Sequence, residues 1–325
     1  MSRKFSNFVD LLRYRATETP QKAAFTFLSD GESVSSSLTY LQLDQQAKAI
    51  ATKLQQLNAQ GERALLLYQP GLEFISAYFG CLYAGVIAVP AYPPRANRSF
   101  ERLQAIVSDS EAQLALTTSS LVGTIEGKLT QSISHENLQS VTTDEIDLDL
   151  ASSWQETELK DDQLAFLQYT SGSTGTPKGV MVNHGNLIHN SRMINQCFQD
   201  TSESIAVSWL PPYHDMGLIG GILQPVYVGA TQILMSPVAF LQRPLRWLET
   251  ISQYRVTTTG GPNFAYDLCI NQIPPEQREA LDLSSWTLAF SGAEPVRTQT
   301  LMNFVEAFGP YGFRLESFYP CYGMA

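Results

Sequence analysis

The sequence predicts an α/β fold with a largely parallel sheet covered by helices on both faces. Strand-like and helical windows alternate along the chain, and the strands of the second half run directly into polar or glycine-bearing loops. Composition agrees: 44% of the 325 residues are apolar and only 16% are charged, against roughly 25% charge in a typical soluble domain. This excludes intrinsic disorder and leaves material for sizeable cores. The length exceeds what one core usually fills, so about two domains are expected.

The first helix is expected over Asn7 to Ala16, where Phe8, Leu11 and Leu12 share one face, and it ends before Pro20. Ala23 to Phe27 and Ser37 to Tyr40 read as strands around a Gly31-Glu32-Ser33 turn, followed by a helix from Leu41 to Leu57. Phe74 to Pro94 carries no charge and is long enough to span a bilayer. Gly85, Pro90, Pro93 and Pro94 interrupt it, so it reads instead as a buried β-α-β unit: strand Ala64 to Tyr68, turn Pro70-Gly71, helix Leu72 to Tyr83, strand Val86 to Val89. A helix (Phe100 to Val107) and a short strand (Leu114 to Thr117) follow. Eight acids then fall between Asp144 and Asp162 against one lysine, Lys160, which reads as a solvated surface loop or linker.

From Gln163 onward the alternation is regular. Strands are expected at Ala165 to Tyr169, Ile205 to Leu210, Gln232 to Met235, Val256 to Thr259, Leu288 to Phe290 and Leu315 to Phe318, with helices at Asn186 to Cys197, Leu245 to Tyr254 and Thr298 to Phe308. Five of these strands run into TSGSTGTPKG, PPYHDMGL, GGPNF, SGAEP and YPCYG. Ligands of open α/β sheets bind outside the carboxyl ends of the strands, so these loops are expected to line one crevice.

Charge and cysteine usage remove other classes. A formal net charge of −10 has the wrong sign for a body held to nucleic acid by phosphate neutralisation. Cys81, Cys197, Cys269 and Cys321 stand singly, without the spacing of a disulfide framework or zinc site, which fits a reducing cytoplasm. The N-terminus has no apolar core of a secretion signal.

The loop from Thr170 to Gly179 holds four hydroxyls, three glycines and Lys178 within ten residues. Glycines let backbone N–H groups turn inward, hydroxyls add donors and lysine adds a point charge, a composition suited to a polyphosphate. A flexible Ser/Gly linker is the plainer alternative, and placement between two strand-like runs weighs against it. It is not a Walker loop, because Pro177 stands where the second glycine belongs and Gly179 follows Lys178; neither a dinucleotide fingerprint nor a nucleophile elbow is present.

YTSGSTGTPKGV resembles the phosphate loop of the adenylate-forming superfamily, which includes acyl-CoA synthetases, luciferases and peptide-synthetase adenylation enzymes. The resemblance extends over nearly the whole chain, through Leu38-Thr39-Tyr40-Leu41, Gly292-Ala293-Glu294-Pro295 and Tyr322-Gly323-Met324-Ala325. PAYPPR (Pro90 to Arg95), FLQYTSGSTGTPKGVMVNHGNL, SWLPPYHDMGLIGG and GGPNFAYDLC look most like fatty acyl-AMP ligases. The resemblance implies the N-terminal domain of that fold, two stacked, largely parallel sheets flanked by helices. It also implies ATP-dependent activation of a fatty acid, with transfer to the phosphopantetheine arm of an acyl carrier protein in lipid, polyketide or lipopeptide assembly. Residues 1–162 would then be the first half of a partial adenylation domain and 163–325 the half carrying the ATP and acyl-site loops.

Carried over residue by residue, the resemblance assigns Thr170, Ser171, Gly172, Ser173, Thr174, Gly175 and Lys178 to the β- and γ-phosphates. His214 would lie beside the carboxylate and α-phosphate, although a lone histidine reads first as a packed or capping residue. Lys178 and His214 are the catalytic candidates. Gly292, Ala293 and Glu294 would border adenine, Tyr322 would stack on it, and Gly323, Met324 and Ala325 would approach the α-phosphate. Asp215, Gly261, Asn263 and Tyr266 would edge the acyl pocket. ATP with Mg²⁺ is expected as substrate and ion, with no tightly bound cofactor. A carboxylate is ionised at neutral pH and needs no general base, so catalysis would rest on positioning and charge neutralisation.

In the family pattern Tyr322-Gly323-Met324-Ala325 continues with a magnesium-binding glutamate, a ribose-binding aspartate and a small lysine-bearing lid domain. None precedes Ala325, and Lys178 is the last lysine of the chain. The chain is therefore expected to be a truncated portion of an active parent, itself inactive or impaired. A fatty acyl-CoA ligase shares the first half-reaction and stays open as an alternative, as does a non-catalytic nucleotide- or acyl-binding module.

Overall fold

The computed structural model describes residues 4–94, 101–132, 138–170 and 177–323. Among the described residues thirteen strands form two sheets: β1 Ala23–Leu28, β2 Val34–Thr39, β3 Arg63–Leu67, β4 Ile87–Ala91, β5 Leu114–Thr117, β6 Gln139–Thr142, β7 Leu164–Thr170, β8 Lys178–Asn183, β9 Ile205–Ser208, β10 Thr231–Met235, β11 Thr258–Gly261, β12 Leu288–Ser291 and β13 Phe318–Pro320. One sheet runs β6-β5-β3-β4-β7-β8 and the other β13-β12-β11-β9-β10-β1-β2. The pairings of β3 to β7 and those among β1, β9, β10, β11, β12 and β13 are parallel, as the alternating pattern predicts, whereas β7/β8 is an antiparallel hairpin and β2 returns beside β1 after a five-residue turn. The chain divides into two compact units, residues 1–21 with 39–192 and residues 22–38 with 193–324. The break falls inside the His184–Phe198 helix rather than at residue 162.

In the first unit, the apolar stretch is the β-α-β unit that its prolines and glycine imply. β3 and β4 pair in parallel, Arg63 opposite Ile87, and the connecting Leu72–Ala84 helix is buried on nearly every side and ends at Gly85 with φ 66°. Among the described residues no helix is long and apolar enough to cross a membrane. The neighbouring Tyr40–Gln56 helix starts on a capping box between Thr39 and Gln42, two orphan backbone donors being satisfied reciprocally. A helix over Ser119–Ser132 replaces the uninterrupted run from strand to acidic stretch expected from the sequence.

The acidic stretch is not a linker. All eight carboxylates are exposed, but the backbone is strapped to the unit at several points. Thr52 Oγ1 donates to the Leu150 carbonyl at 2.9 Å, Gln55 Nε2 to that of Gln155 at 2.7 Å, and Trp154 Nε1 to that of Tyr83 at 3.2 Å. Asp144 accepts the backbone N–H of Ser119 at 2.8 Å. Charge density revealed the solvated face, whereas the anchors are single residues whose partners lie far away in sequence.

The second unit is held by an aromatic core. Trp247, Tyr266, Trp286, Phe304 and Phe313 meet mostly edge to face, at centroid separations such as 5.2 Å (Trp247 to Trp286) and 4.9 Å (Phe304 to Phe313), with Tyr266 stacked on Trp286. Burying each such ring contributes about 3 kcal/mol. The strand expected at Leu315 to Phe318 begins later: Leu315–Ser317 is a 3₁₀ turn tied by Ser317 Oγ to the Trp286 carbonyl, and β13 starts at Phe318.

Candidate active site

Four of the five predicted loops leave the same edge of the second sheet. Gly261 pairs with Ser291 and Ser291 with Pro320, so the loops after β11, β12 and β13 depart level with one another. The Cys321 N–H donates to the Ser291 carbonyl at 2.8 Å and continues this alignment one residue further. The loop after β9 joins them through Met216, whose Cε lies 3.2 Å from the Cβ position of Gly292, and Asp215, whose Oδ2 lies 3.2 Å from that of Gly323. A side chain at Gly292 would also meet the Cys321 carbonyl oxygen at 2.6 Å, so only glycine permits this approach. The fifth loop, after β7, belongs to the other sheet.

His214 and Asp215 form the polar centre of this edge. His214 Nδ1 stands 2.7 Å from Asp215 Oδ1, with half of the imidazole exposed and the carboxylate largely buried. The Met216 N–H donates to the same Asp215 oxygen at 2.8 Å. Since Nδ1 carries the proton it gives Asp215, it cannot also accept from Met216, and Nε2 is the ring nitrogen that Asp215 does not engage. The hydrogen bond to Asp215 raises the His214 pKa, against the opposing effect of burial. Burial pulls the Asp215 carboxyl upward, yet the bond and charge of His214 with the Met216 N–H bring it below the usual carboxylate range.

Around the pair lie the predicted adenine-side residues. Ala293 adopts φ 63°, a left-handed conformation unusual for a residue with a Cβ, and it is exposed. Glu294 turns back to accept the Phe264 N–H at 2.6 Å, so its carboxylate caps the Asn263–Gln272 helix. Tyr322 is 90% exposed, an aromatic face presented to solvent. Gly323 is exposed beside Asp215.

Two of the predicted acyl-pocket residues are placed elsewhere. Tyr266 is fully buried among Trp247, Trp286, Phe304 and Phe318, its hydroxyl donating to the Phe290 carbonyl at 2.7 Å. Asn263 is 3% exposed and is consumed by Asp267, Thr300 and the Arg297 N–H. Their polar atoms tie helices and strands together. Gly261 lies under Trp209, whose Cζ2 is 2.7 Å from its Cβ position. Of the four, Asp215 stands beside His214, and Gly261 stands at the sheet edge from which the β11 loop departs.

In the first unit, Thr170 and Lys178 are paired across the base of the β7/β8 hairpin. Lys178 is exposed, and among the described residues no carboxylate pairs with it. Ser171, Gly172, Ser173, Thr174 and Gly175 lie outside the described residues, as do Met324, Ala325 and Arg95. Sequence reasoning missed the anchor beneath this loop: Tyr169 donates to Asp109 Oδ2 at 2.6 Å and its ring lies 3.0 Å from the Cβ position of Gly179. It also missed Cys321, wedged against Gly292. Neither pairing has a local sequence signal. All four cysteines are free thiols.

A family model for AMP-binding enzymes matches residues 12–325. The chain is 48% identical over 326 residues to the medium-chain-fatty-acid--[acyl-carrier-protein] ligase JamA of Moorena producens (strain JHB), covering 99% of this chain and 55% of that protein. It is 37% identical to the corresponding ligase TtuA of Teredinibacter turnerae, covering 96% and 54%. The crystal structure of a fatty acyl-adenylate ligase from L. pneumophila, in complex with acyl adenylate and pyrophosphate, superposes with a TM-score of 0.92 at 49% identity, covering 98% of this chain and 55% of that one. The chain thus spans about half the length of the curated relatives it matches. The aligned strand ends, the loops that bring His214 and Tyr322 to them, and a family match over residues 12–325 have one conclusion: the chain belongs to the AMP-binding enzyme family.

Proposed function

We propose that this chain carries the nucleotide and acyl sites of an ATP-dependent fatty acid ligase whose acceptor is an acyl carrier protein. A carboxylate oxygen of the fatty acid attacks the α-phosphorus of ATP, the bond from that phosphorus to the bridging oxygen breaks, and pyrophosphate leaves with the electron pair. The acyl-adenylate that remains passes its acyl group to a phosphopantetheine thiol. The observation that carries this reading is the convergence of His214, Gly292, Ala293, Tyr322 and Gly323 at one sheet edge, in a chain closely similar to a ligase with acyl adenylate and pyrophosphate bound.

The side chains divide the work by chemistry. Asp215 favours the protonated form of His214, so Nε2–H is a donor suited to the anionic carboxylate and α-phosphate. Tyr322 offers a stacking face to adenine, while Ala293 holds the loop beside it in a conformation that leaves its backbone exposed. Lys178 and the loop it closes meet the β- and γ-phosphates, where an unpaired ammonium is a point charge without a competitor. Magnesium is implied by the family. Among the described residues, however, no group of three histidines, cysteines or carboxylates could hold a metal ion, so no step is assigned to it.

Incubation of the full-length protein with ATP, a medium-chain fatty acid and hydroxylamine tests the reaction. The expected products are acyl hydroxamate, AMP and pyrophosphate in equal amounts; ADP with inorganic phosphate would indicate an acyl-phosphate route and overturn the proposal. Offering free coenzyme A and carrier protein together then identifies the acceptor, coenzyme A thioester being the result that favours an acyl-CoA ligase.

A further inference from the structure

The loop between β12 and the Thr298–Phe308 helix contains Ala293, whose φ of 63° is disfavoured about five- to thirtyfold for a residue with a Cβ. Such a conformation persists only where its surroundings over-determine it. On one side Gly292 is gripped, its Cβ position lying 2.6 Å from the Cys321 carbonyl oxygen and 2.8 Å from Cys321 Sγ. On the other, Pro295 narrows the backbone of Glu294 to extended conformations, so the freedom left in the turn is that of Ala293.

The groups that hold the far side of the turn come from another segment. Glu294 Oε1 accepts the Phe264 N–H at 2.6 Å and satisfies one of the orphan donors of the Asn263–Gln272 helix. Beside it, Asn263 Oδ1 accepts the Arg297 N–H at 2.9 Å, and Asn263 Nδ2 donates to Thr300 Oγ1 at 3.1 Å. One helix start therefore grips the loop at both Glu294 and Arg297. The two ties differ in setting: Asn263 is 3% exposed and its bonds belong to the core, whereas Glu294 is exposed and only its bond to Phe264 keeps it from turning into water.

We propose that Glu294 is a positioning residue, which touches no substrate and, through Phe264, holds Ala293 left-handed so that the loop backbone is set for adenine before the nucleotide arrives. The inference rests on the placement of adenine beside Ala293 in the reading above, and it moves Glu294 from contact to support. With the tie cut, Ala293 returns to its preferred backbone, the receptive conformer is populated only in part, and affinity falls by that fraction. Glycine at 293 has no such preference, so it predicts a rescue.

Calorimetry of the full-length protein with ATP and with a non-hydrolysable acyl-sulfamoyl adenosine tests this. Glu294→Ala should weaken both ligands about five- to thirtyfold, because both carry adenine. Adding Ala293→Gly should restore all but about twofold of that loss, since glycine populates both hands alike. Glu294→Gln, whose amide oxygen still accepts the Phe264 N–H, should also recover most of it. Loss of a merely structural cap would lower stability in urea without changing the affinity of the folded protein, so a loss of affinity that Ala293→Gly leaves untouched overturns the proposal. So does a Glu294→Gln protein as weak as Glu294→Ala. Wild-type protein that binds neither ligand overturns the reading of the site itself, whereas wild-type binding of both with Glu294→Ala unchanged overturns this inference alone.

Discussion

Asp215 Oδ1 lies 2.7 Å from His214 Nδ1 and accepts the Met216 N–H at 2.8 Å, so one carboxylate both orients the imidazole and closes the turn that follows it. The folded-state pKa of His214 is raised by this bond. Its contribution to stability is therefore fully present below the unfolded histidine value and is lost as pH rises through the higher folded value. Asp215→Asn keeps the shape and removes the charge. The His214 midpoint, followed by NMR, should move down in that variant, and acyl-adenylate formation by the full-length protein should fall about 10²-fold if that donor is lost with it. An unmoved midpoint would show that Asp215 does not hold the proton.

Ala293 has φ 63°, where a Cβ costs about 1 kcal/mol and glycine costs nothing. Ala293→Gly should stabilise the protein by about that amount, less the added freedom of the unfolded glycine. Urea unfolding reads this directly, and a destabilisation above 1 kcal/mol would contradict the assignment of strain.

The exposed ring of Tyr322 predicts a different asymmetry. Base stacking on an aromatic side chain is worth about 1–3 kcal/mol, so Tyr322→Ala should weaken ATP binding roughly tenfold or more. Tyr322→Phe keeps the face and should bind as wild type. Equal losses in both variants would assign the effect to the hydroxyl rather than to stacking.

His184 is 1% exposed, its Nδ1 is unpartnered, and burial pushes its pKa down to about 4 against a counter-pull from Asp161. An unfolded histidine binds its proton near 6.5, so stability from the neutral, buried ring is present above that value and lost as pH falls toward about 4. The full loss amounts to about 3 kcal/mol. His184→Leu should remove this part of the acid sensitivity, seen as converging wild-type and variant stabilities when unfolding is measured across that range. Parallel pH profiles would contradict it.

Much of this was legible in the sequence because it is local. The β-α-β unit of residues 63–91 follows from an uncharged run punctuated by Pro70, Gly71 and Gly85, and the site edge follows from strands that end in loops such as PPYHDMGL and SGAEP. What sequence could not supply are pairings across long separations. Tyr169 with Asp109, Glu294 with the Phe264 N–H, and Cys321 with Gly292 each join residues that carry no mutual signal. Asn263 and Tyr266 show the same limit: a polar group beside a glycine-rich loop looks available in the sequence, and the fold shows its bonds already made.

The central claim is that Lys178 meets the phosphates that leave. An acyl-adenylate lacks the β- and γ-phosphates, so a non-hydrolysable acyl-sulfamoyl adenosine makes the control ligand. The decisive measurement is the affinity of the Lys178→Ala protein for ATP and for this analogue, by calorimetry. Loss of one charge-assisted contact should weaken ATP by about ten- to a hundredfold and leave the analogue unchanged. Equal weakening of both ligands, or no weakening of ATP, would contradict the assignment and the chemistry built on it.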